Sequence, residues 1–265
     1  MFTNFSGATR VLFIAGDPIA QVKSPAGVTQ ALCARGADAI VVPAHVKPDD
    51  LAAFLALTQR MPNCDGHCVT VPHKFAALAG CATLSAQARS IGAVNAIRRN
   101  PDGSWHGHMC DGEGYVAGLR TLGCEPRSKR ALLVGAGGAG SAIAHGLIDA
   151  GVAQLHVYDA DRARLDALLT KLRQYSNIPC RAGTPRAQGF DLAINATPMG
   201  MNVDDALPID LSDCDGSLFV GDVVTKPAVP PLIEAARALG CHTMTGADMF
   251  TSVCERLVEF YLHKA

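Results

Sequence analysis

The stretch Ala131-Leu-Leu-Val-Gly-Ala-Gly-Gly-Ala-Gly140 decides the fold of this chain. An apolar strand runs directly into glycines spaced Gly-x-Gly-x-x-Gly, and a segment of small residues from Ser141 to Ala150 follows and ends at Gly151. A strand, a glycine-rich turn and a helix in this order are typical of the unit that binds the pyrophosphate of a dinucleotide. The stretch therefore predicts a dinucleotide-binding α/β domain.

The glycines of this loop have separate expected roles. Gly135 permits the tight turn, Gly137 lets a pyrophosphate approach the backbone, and Gly140 lets the helix pack closely on the strand. The N–H groups at the helix N-terminus then attract the phosphate charge. The cofactor-binding residues predicted in the loop are Gly135, Ala136, Gly137, Gly138, Ala139 and Gly140.

A carboxylate after the next strand indicates which dinucleotide binds. The strand from Gln154 to Tyr158 is followed by Asp159, nineteen positions beyond Gly140. A carboxylate in this place accepts hydrogen bonds from the adenosine ribose. With Asp161 nearby, a 2′-phosphate would meet two negative charges, which costs several kcal/mol. We therefore expect NAD rather than NADP as the cofactor, with the arginines that follow as solvated charges at the start of a helix.

The composition excludes several other classes of protein. Of the 265 residues, 49% are hydrophobic and 18% are charged, which is typical of a globular chain. A formal net charge of −1 gives no reason to expect nucleic acid or an anionic membrane as partner. No apolar run is long enough to span a bilayer, and the N-terminus does not resemble a secretory signal. We expect a cytoplasmic protein.

Cysteine and histidine patterns do not predict a metal site. The ten cysteines include no Cys-x-x-Cys pair, and Cys64 and Cys68 form the one close cluster. Buried thiols in a reducing compartment are the simpler interpretation. His106 and His108 share one face of a strand but lack a third ligand nearby in the sequence, which favours surface histidines.

Strand and helix signals alternate along the whole chain, which favours a largely parallel α/β architecture of two domains. The hydrophobic patterns and turn residues predict strands at 10–15, 39–43, 67–71, 91–98, 104–108, 131–134, 154–158, 191–196, 218–224 and 241–245. The turn Pro101-Asp-Gly103 predicts that the strands at 91–98 and 104–108 form a hairpin. The predicted helices are 25–35, with Ser24 as the N-cap and Pro25 as the first helical residue, and 48–59, 112–122, 141–150, 230–239 and 247–263.

Five further motifs stand in order along the chain. They are Gly16-Asp-Pro-Ile19 with Lys23-Ser24-Pro25, then Val69-Thr-Val-Pro-His-Lys74, Gly92-Ala-Val-Asn95, Asp111-Gly112-x-Gly114 and Asn195-Ala-Thr-Pro-x-Gly-Met201. With these motifs the chain resembles the shikimate/quinate dehydrogenase family over nearly its whole length. The resemblance implies an N-terminal α/β substrate-binding domain at 1–110 with 246–265, and a Rossmann dinucleotide-binding domain at 111–245. It also implies that the C-terminal helix packs back on the first domain.

The resemblance also assigns the catalytic pair. Alone, Lys74 would be interpreted as a solvated surface charge and Asp111 as a helix N-cap. In the family the corresponding lysine and aspartate pair across a cleft between the domains. Lys74 is therefore expected to donate and accept the proton of the reacting hydroxyl, with Asp111 as the group that orients it.

Other side chains are expected to contact the ligands. Ser24, Thr70 and Asn95 match family positions that bind the substrate. Three residues near the end of a Rossmann strand match the family's nicotinamide region, namely Asn195, Thr197 and Met199. No metal is expected.

Four positions depart from the family pattern, and all of them belong to its substrate motifs. The family usually has two serines around the lysine of the first motif, which bind the substrate carboxylate, but here Val22 replaces the first. Cys68 stands in place of an asparagine, Thr225 of a tyrosine and Val253 of a glutamine. Each lost hydrogen bond to a charged substrate group weakens binding by about 1.5 to 3 kcal/mol.

Together these features predict an NAD-dependent oxidoreductase that interconverts a cyclic hydroxy acid, shikimate or a relative, and its 3-dehydro ketone. A biosynthetic shikimate dehydrogenase for aromatic amino acids would normally use NADP, which Asp159 disfavours. A catabolic quinate/shikimate dehydrogenase suits Asp159 but not Val22. A non-catalytic NAD-binding sensor is the alternative of another class. We expect a small-molecule partner and a monomer or homodimer.

Overall fold

The structure, a computed structural model, describes residues 5–202 and 204–263, and it confirms the α/β class that the sequence predicts. The chain divides into two compact units. The first contains the residues up to Cys110 and those from Cys254 onward, and the second contains Asp111–Val253. Each unit is built on a six-stranded sheet. The last helix contributes residues to both units.

The sheet of the first unit is mixed. Its strands are β1 Arg10–Gly16, β2 Ala39–His45, β3 Cys64–Val69, β4 Thr83–Leu84, β5 Ala96–Arg99 and β6 Trp105–His108, in the order β2-β1-β3-β5-β6-β4. Strands β1, β2 and β3 run parallel, whereas β5 runs antiparallel to both β3 and β6. The C-terminal ends of β1 and β3 therefore share one edge of the sheet with the N-terminal end of β5.

Helices α1 Ser24–Ala34, α2 Leu51–Gln59 and α3 Ala86–Ile91 belong to this unit. The predicted cap of α1 was wrong by one residue, because Lys23 is the N-cap and Ser24 already lies in the helix, with Pro25 in its first turn. The predicted strand over 91–98 was wrong in its first half. Ile91 ends α3, and Gly92 terminates that helix with φ of 76° and an N–H donated to Ala88.

The C-terminal helix α8, Gly246–Leu262, packs with its second half on the first unit, as the family resemblance predicts. The Tyr261 hydroxyl donates to the His67 carbonyl at 2.7 Å. The Arg98 guanidinium lies 5.0 Å from the centre of the Phe260 ring, and Arg35 forms an ion pair with Glu255. These contacts connect the helix to β3, to β5 and to the end of α1.

The sheet of the second unit is wholly parallel. Its strands are β7 Arg130–Val134, β8 Gln154–Tyr158, β9 Cys180–Ala182, β10 Leu192–Asn195, β11 Phe219–Asp222 and β12 His242–Met244, in the order β9-β8-β7-β10-β11-β12. The helices are α4 Asp111–Thr121, α5 Gly138–Asp149, α6 Arg162–Tyr175, α7 Pro231–Ala238 and the first part of α8. This strand order is that of the Rossmann fold, whose topological switch point lies between β7 and β10.

Close helix packing in the second unit explains the small residues of α4. A Cβ atom added to Gly112 would lie 2.2 Å from the Ala142 carbonyl oxygen of α5. One added to Gly114 would lie 2.6 Å from a methyl group of Val253 in α8. Glycine is therefore needed at both positions for α4 to pack against its two neighbours. Among the helices of residues 5–202 and 204–263, none has the length and apolar character to cross a membrane.

Candidate active site

The glycine loop after β7 forms a cradle at the start of α5. Gly135 has φ of 109°, and its N–H donates to the Tyr158 carbonyl at 2.7 Å. A Cβ atom added to Gly140 would lie 1.9 Å from the Gly135 carbonyl oxygen, so the helix can sit there only with glycine. By contrast, a Cβ atom added to Gly137 would meet no atom of the described part of the chain within 4 Å. The space beside Gly137 is thus open to a ligand.

The cradle fits the pyrophosphate of a dinucleotide. Helix α5 begins at Gly138 and not at Ser141 as predicted, because Gly137 takes the extended N-cap conformation and the next residues are already helical. Gly137, Gly138 and Ala139 are partly exposed. The first N–H groups of a helix have no partners within it, and together with the helix dipole they attract an anion.

Asp159 fixes its carboxylate beside this loop. It follows directly after β8, and its Oδ2 atom accepts from the Ala136 N–H at 2.7 Å. Its Oδ1 atom accepts from the Asp161 N–H at 2.7 Å. Each oxygen keeps a second lone pair for a hydroxyl donor. The carboxylate is thereby held where an adenosine ribose is expected.

The arginines after Asp159 are engaged by carboxylates of their own helix. Asp161 caps α6 by accepting from the backbone N–H groups of residues 163 and 164. Arg162 pairs with Asp166 at 3.0 Å and Arg164 pairs with Asp161 at 3.2 Å. Both arginines are well exposed, so these pairs contribute little to stability.

The loop after β10 meets the glycine loop at the switch point. A Cβ atom added to Gly135 would lie 2.8 Å from the Ala196 carbonyl carbon and 3.0 Å from the Thr197 methyl group. Asn195, at the end of β10, is fully buried. Its Oδ1 atom accepts from the N–H and the hydroxyl of Thr197, at 3.0 and 2.6 Å. Its amide nitrogen donates to the Met199 carbonyl at 3.1 Å.

These contacts separate the predicted cofactor residues of this loop into two groups. The side chain of Asn195 is fully buried, and its hydrogen bonds to Thr197 and Met199 shape the loop, while its contact with a cofactor stays a prediction. Thr197 is partly exposed and Met199 is 39% exposed, so both present surface to a ligand. Their contact with a cofactor stays a prediction.

Asp222 was missed by the sequence analysis. It lies at the end of β11, opposite Asn195 in the strand register, and is completely buried. Its two carboxylate oxygens accept from the Asn195 amide at 3.1 and 3.2 Å, and Oδ1 also accepts from the Val224 N–H at 2.8 Å. Burial raises the pKa of Asp222 to about 6. An aspartate that ends an apolar strand is the one signal that sequence offers for it.

On the first unit, a tight turn carries Lys74. The Thr70 N–H donates to the Ala15 carbonyl at 3.0 Å, and the His73 N–H donates to the Thr70 carbonyl at 2.9 Å. The Val94 N–H donates to the Lys74 carbonyl at 2.8 Å. The turn is therefore fixed at the sheet edge where β1 and β3 end, and Lys74 itself is half-buried.

Asn95 lies at the same edge. Its backbone carbonyl accepts from the Val69 N–H at 2.8 Å, and its side-chain oxygen accepts from the Cys110 N–H at 2.8 Å. The structure thus brings Thr70, Lys74 and Asn95 together. Ser24 begins α1, which follows β1 at this edge. Asp111 is buried as the first residue of α4 in the second unit, so its pairing with Lys74 stays a prediction.

The four positions that depart from the family pattern are all partly or fully buried. Val22 and Thr225 are partly buried. Cys68 is buried in β3, with its Sγ atom 3.3 Å from the Tyr261 hydroxyl. Val253 is buried against Gly114. Among the described residues, no group of three acidic, histidine or cysteine side chains is arranged to hold a metal ion.

The parallel sheet, the glycine cradle and the fixed carboxylate are typical of dinucleotide-binding domains. A profile described as "Shikimate dehydrogenase substrate binding domain" matches residues 14–97, and one described as "ThiF family" matches residues 124–205. The shikimate dehydrogenase (NADP(+)) of Acidiphilium cryptum (strain JF-5) is 36% identical over 245 residues, which cover 92% of this chain and 87% of that protein. The chain belongs to the shikimate dehydrogenase family, whose members act on CH–OH groups.

Solved structures support the same assignment. Shikimate 5-dehydrogenase from Listeria monocytogenes, in complex with shikimate and NAD, is 26% identical with a TM-score of 0.89 and covers 100% of this chain and 95% of its own. The ligand-free 5-ketofructose reductase of Gluconobacter sp. strain CHM43 is 29% identical with a TM-score of 0.86 and covers 96% of this chain and 93% of its own. The fold is therefore shared by enzymes that are named for different substrates.

Proposed function

We propose that this protein uses NAD to interconvert a cyclic hydroxy acid, shikimate or a close relative, and its 3-dehydro ketone. The observation that carries the choice of NAD is the carboxylate of Asp159, fixed by two backbone N–H groups beside the glycine loop. A 2′-phosphate there would meet a negative charge, while a ribose diol would meet an acceptor. The Acidiphilium cryptum relative is named for NADP(+), so the coenzyme is the point to test.

A nicotinamide dinucleotide held by the glycine loop and Asp159 would supply the hydride chemistry at the carbinol carbon. The residues of this chain manage the proton. We assign to the Lys74 amine the proton that leaves the hydroxyl during oxidation, and Lys74 returns that proton to the oxygen during reduction. Asp111 orients the lysine. Ser24, Thr70 and Asn95 hold the substrate. The rate of hydride transfer depends on how accurately they place its carbinol carbon.

The test is a panel of initial rates. Shikimate, quinate and related cyclic hydroxy acids are offered to the purified protein with NAD and with NADP, and reduced dinucleotide is followed by its absorbance. We expect the highest kcat/KM with NAD and a member of this panel. Robust oxidation with NADP and little with NAD would overturn the choice of coenzyme. Tight binding of NAD without turnover of any substrate would favour the sensor alternative.

A second candidate substrate class is a polyhydroxy ketone without a carboxylate. The 5-ketofructose reductase from Gluconobacter sp. supports it, as does Val22 in place of a serine that binds carboxylate in the family. Reduction of 5-ketofructose with reduced dinucleotide belongs in the same panel. A kcat/KM for this ketone above that for every cyclic acid would replace the first candidate.

A further inference from the structure

The loop that follows β10 is fixed by hydrogen bonds to two buried side chains, Asn195 and, through it, Asp222. Asn195 aims its amide nitrogen at three acceptors, which are the Met199 carbonyl and both carboxylate oxygens of Asp222. Its amide oxygen meets two donors, both from Thr197. The Thr197 hydroxyl in turn accepts from the Met199 N–H at 3.2 Å. One orientation of the Asn195 amide thus defines the path of residues 196–199.

Asp222 fixes that orientation because a carboxylate presents acceptors only. An amide at this position could offer one oxygen to Asn195 and to the Val224 N–H, but its nitrogen would then face the Asn195 nitrogen across the present 3.2 Å contact. Two N–H donors at that distance repel each other. The Asn195 side chain would have to turn away, and its bond to the Met199 carbonyl would be lost.

The protein keeps this carboxylate at a cost. Among the described residues no basic side chain pairs with Asp222, which is completely buried. The neighbouring titratable group is Tyr115 of α4, whose buried hydroxyl has no hydrogen-bond partner within residues 5–202 and 204–263. The pKa of Tyr115 is raised, first by burial and then by the charge of Asp222. A buried charge without a cation destabilises a fold, and such groups are retained mainly at functional sites.

We propose that Asp222 is a positioning residue of the dinucleotide site, which acts through Asn195 to hold residues 196–199 in the shape that receives the nicotinamide end. The proposal rests on the proposed function only in placing the nicotinamide at this loop. Asp222 is completely buried, so it acts on the exposed loop through Asn195. This positioning role explains why a carboxylate that is not paired with a basic side chain lies beneath the exposed loop of residues 196–199.

The test compares Asp222→Asn with the wild-type protein in two assays. Direct titration with NADH gives Kd, and initial rates give kcat and the KM values for dinucleotide and substrate. We expect Kd and KM for the dinucleotide to rise about tenfold, as for the loss of one charge-assisted hydrogen bond, while KM for the substrate changes less than about twofold. The melting temperature is expected to stay or rise, because the variant removes a buried charge.

The control is Asp215→Asn. Asp215 is an exposed carboxylate of the same unit that accepts from the Ser217 N–H and hydroxyl, away from the loop. It is expected to leave Kd and KM unchanged. An unchanged Kd in Asp222→Asn would overturn the proposal. If the melting temperature also fell, Asp222 would be assigned to stability alone. Failure of both Asp222→Asn and the smaller Asp222→Ser to fold would overturn the proposal for the same reason.

The binding assay keeps this proposal distinct from the proposed function. A wild-type protein that binds NADH but turns over no substrate would refute the dehydrogenase activity. The Kd comparison would still decide the role of Asp222.

Discussion

The carboxylate of Asp159 accepts hydrogen bonds from two backbone N–H groups, and we expect it also to decide between NAD and NADP. Replacing it with asparagine keeps an acceptor for one backbone N–H but removes the charge next to the ribose. We expect Asp159→Asn to lower kcat/KM with NAD and to raise the NADP-to-NAD ratio of kcat/KM by at least about tenfold. Steady-state kinetics with both coenzymes measure this ratio.

The matched control for this variant is Asp166→Asn. It frees Arg162 from its ion pair but leaves Asp159 in place. The ratio is expected to stay close to the wild-type value. A ratio that rises in the control as much as in Asp159→Asn would show that Arg162, and not Asp159, decides between the coenzymes.

Lys74 is the residue on which the proposed proton transfer depends. Lys74→Met keeps an unbranched side chain that is one atom shorter, and it removes the amine. We expect kcat to fall by about 10² to 10⁴, the usual contribution of a general acid–base group, with little change in Kd for NADH. Lys47→Met, at an exposed lysine of the same unit, is the control. A kcat within threefold of wild type in Lys74→Met would remove the lysine from the mechanism.

The sequence motifs grouped the residues of one sheet edge, whose roles stay predictions, but they did not reveal the residues beneath the loop. Thr70, Lys74 and Asn95 belong to ordered motifs, and the structure places them at one sheet edge. Asp222 and Tyr115 were missed, because their importance depends on burial beside each other from distant positions in the chain. No local pattern encodes such a contact.

At the scale of elements, two glycines of the turn from β7 into α5 have different expected roles. Gly140 is needed for packing and Gly137 for ligand binding. A Cβ atom in Gly140→Ala would collide with the Gly135 carbonyl, so strand and helix must move apart. One in Gly137→Ala would enter open space, at a φ of −71° that alanine tolerates. We expect Gly140→Ala to lower the melting temperature by several degrees.

Gly137→Ala is the matched partner of that experiment. It is expected to melt like the wild type but to bind NADH at least about tenfold more weakly, because the added methyl occupies the approach of the pyrophosphate. Thermal melting and NADH titration of both variants provide the readouts. Normal binding by Gly137→Ala would place the dinucleotide elsewhere.

Helix and strand ends were less predictable than the elements themselves. The strand Gln154–Tyr158 was predicted with its observed ends, because it is bounded by a helix-ending glycine and by Asp159. The first half of the strand predicted over 91–98 was wrong because Gly92 in the left-handed conformation ends a short helix that has no clear hydrophobic period. Propensity alone does not reveal where a glycine turns the chain.

At the scale of the whole molecule, buried histidine links stability to pH. His67 is enclosed by aromatic rings of Phe13, Phe54 and Trp105, and burial, with a smaller effect of the Arg99 charge, lowers its pKa to about 3. In the unfolded chain the pKa is about 6.5. The stability due to neutral His67 is thus complete above pH 6.5 and is lost as the pH falls from there towards 3.

The expected result is a free energy of unfolding that decreases by several kcal/mol between pH 7 and pH 4, measured by denaturant titration. His67→Phe is expected to flatten this slope in part, since burial also lowers the pKa of His108, to about 4. His242→Asn, at an exposed histidine, is the control. An equal slope in the wild type and in His67→Phe would contradict the assignment.

The architecture of the second unit followed from the glycine loop, because the Rossmann unit has a known strand order. That of the first unit was only partly predictable. The hairpin of β5 and β6 was recognised from its turn, whereas the antiparallel pairing of β3 with β5 joins segments far apart in the chain. Strand order between distant segments depends on packing, which local patterns do not specify.

The most direct test of NAD-dependent dehydrogenase activity is one comparison of initial rates. The initial rate of shikimate oxidation is measured for the wild-type protein and for Lys74→Met. Each protein is assayed with NAD and with NADP, at equal concentrations of folded protein. We expect reduced dinucleotide to form faster with NAD than with NADP in the wild type, and hardly at all in Lys74→Met. A faster rate with NADP, or an unchanged rate in Lys74→Met, would contradict the proposed coenzyme or the proposed proton transfer respectively.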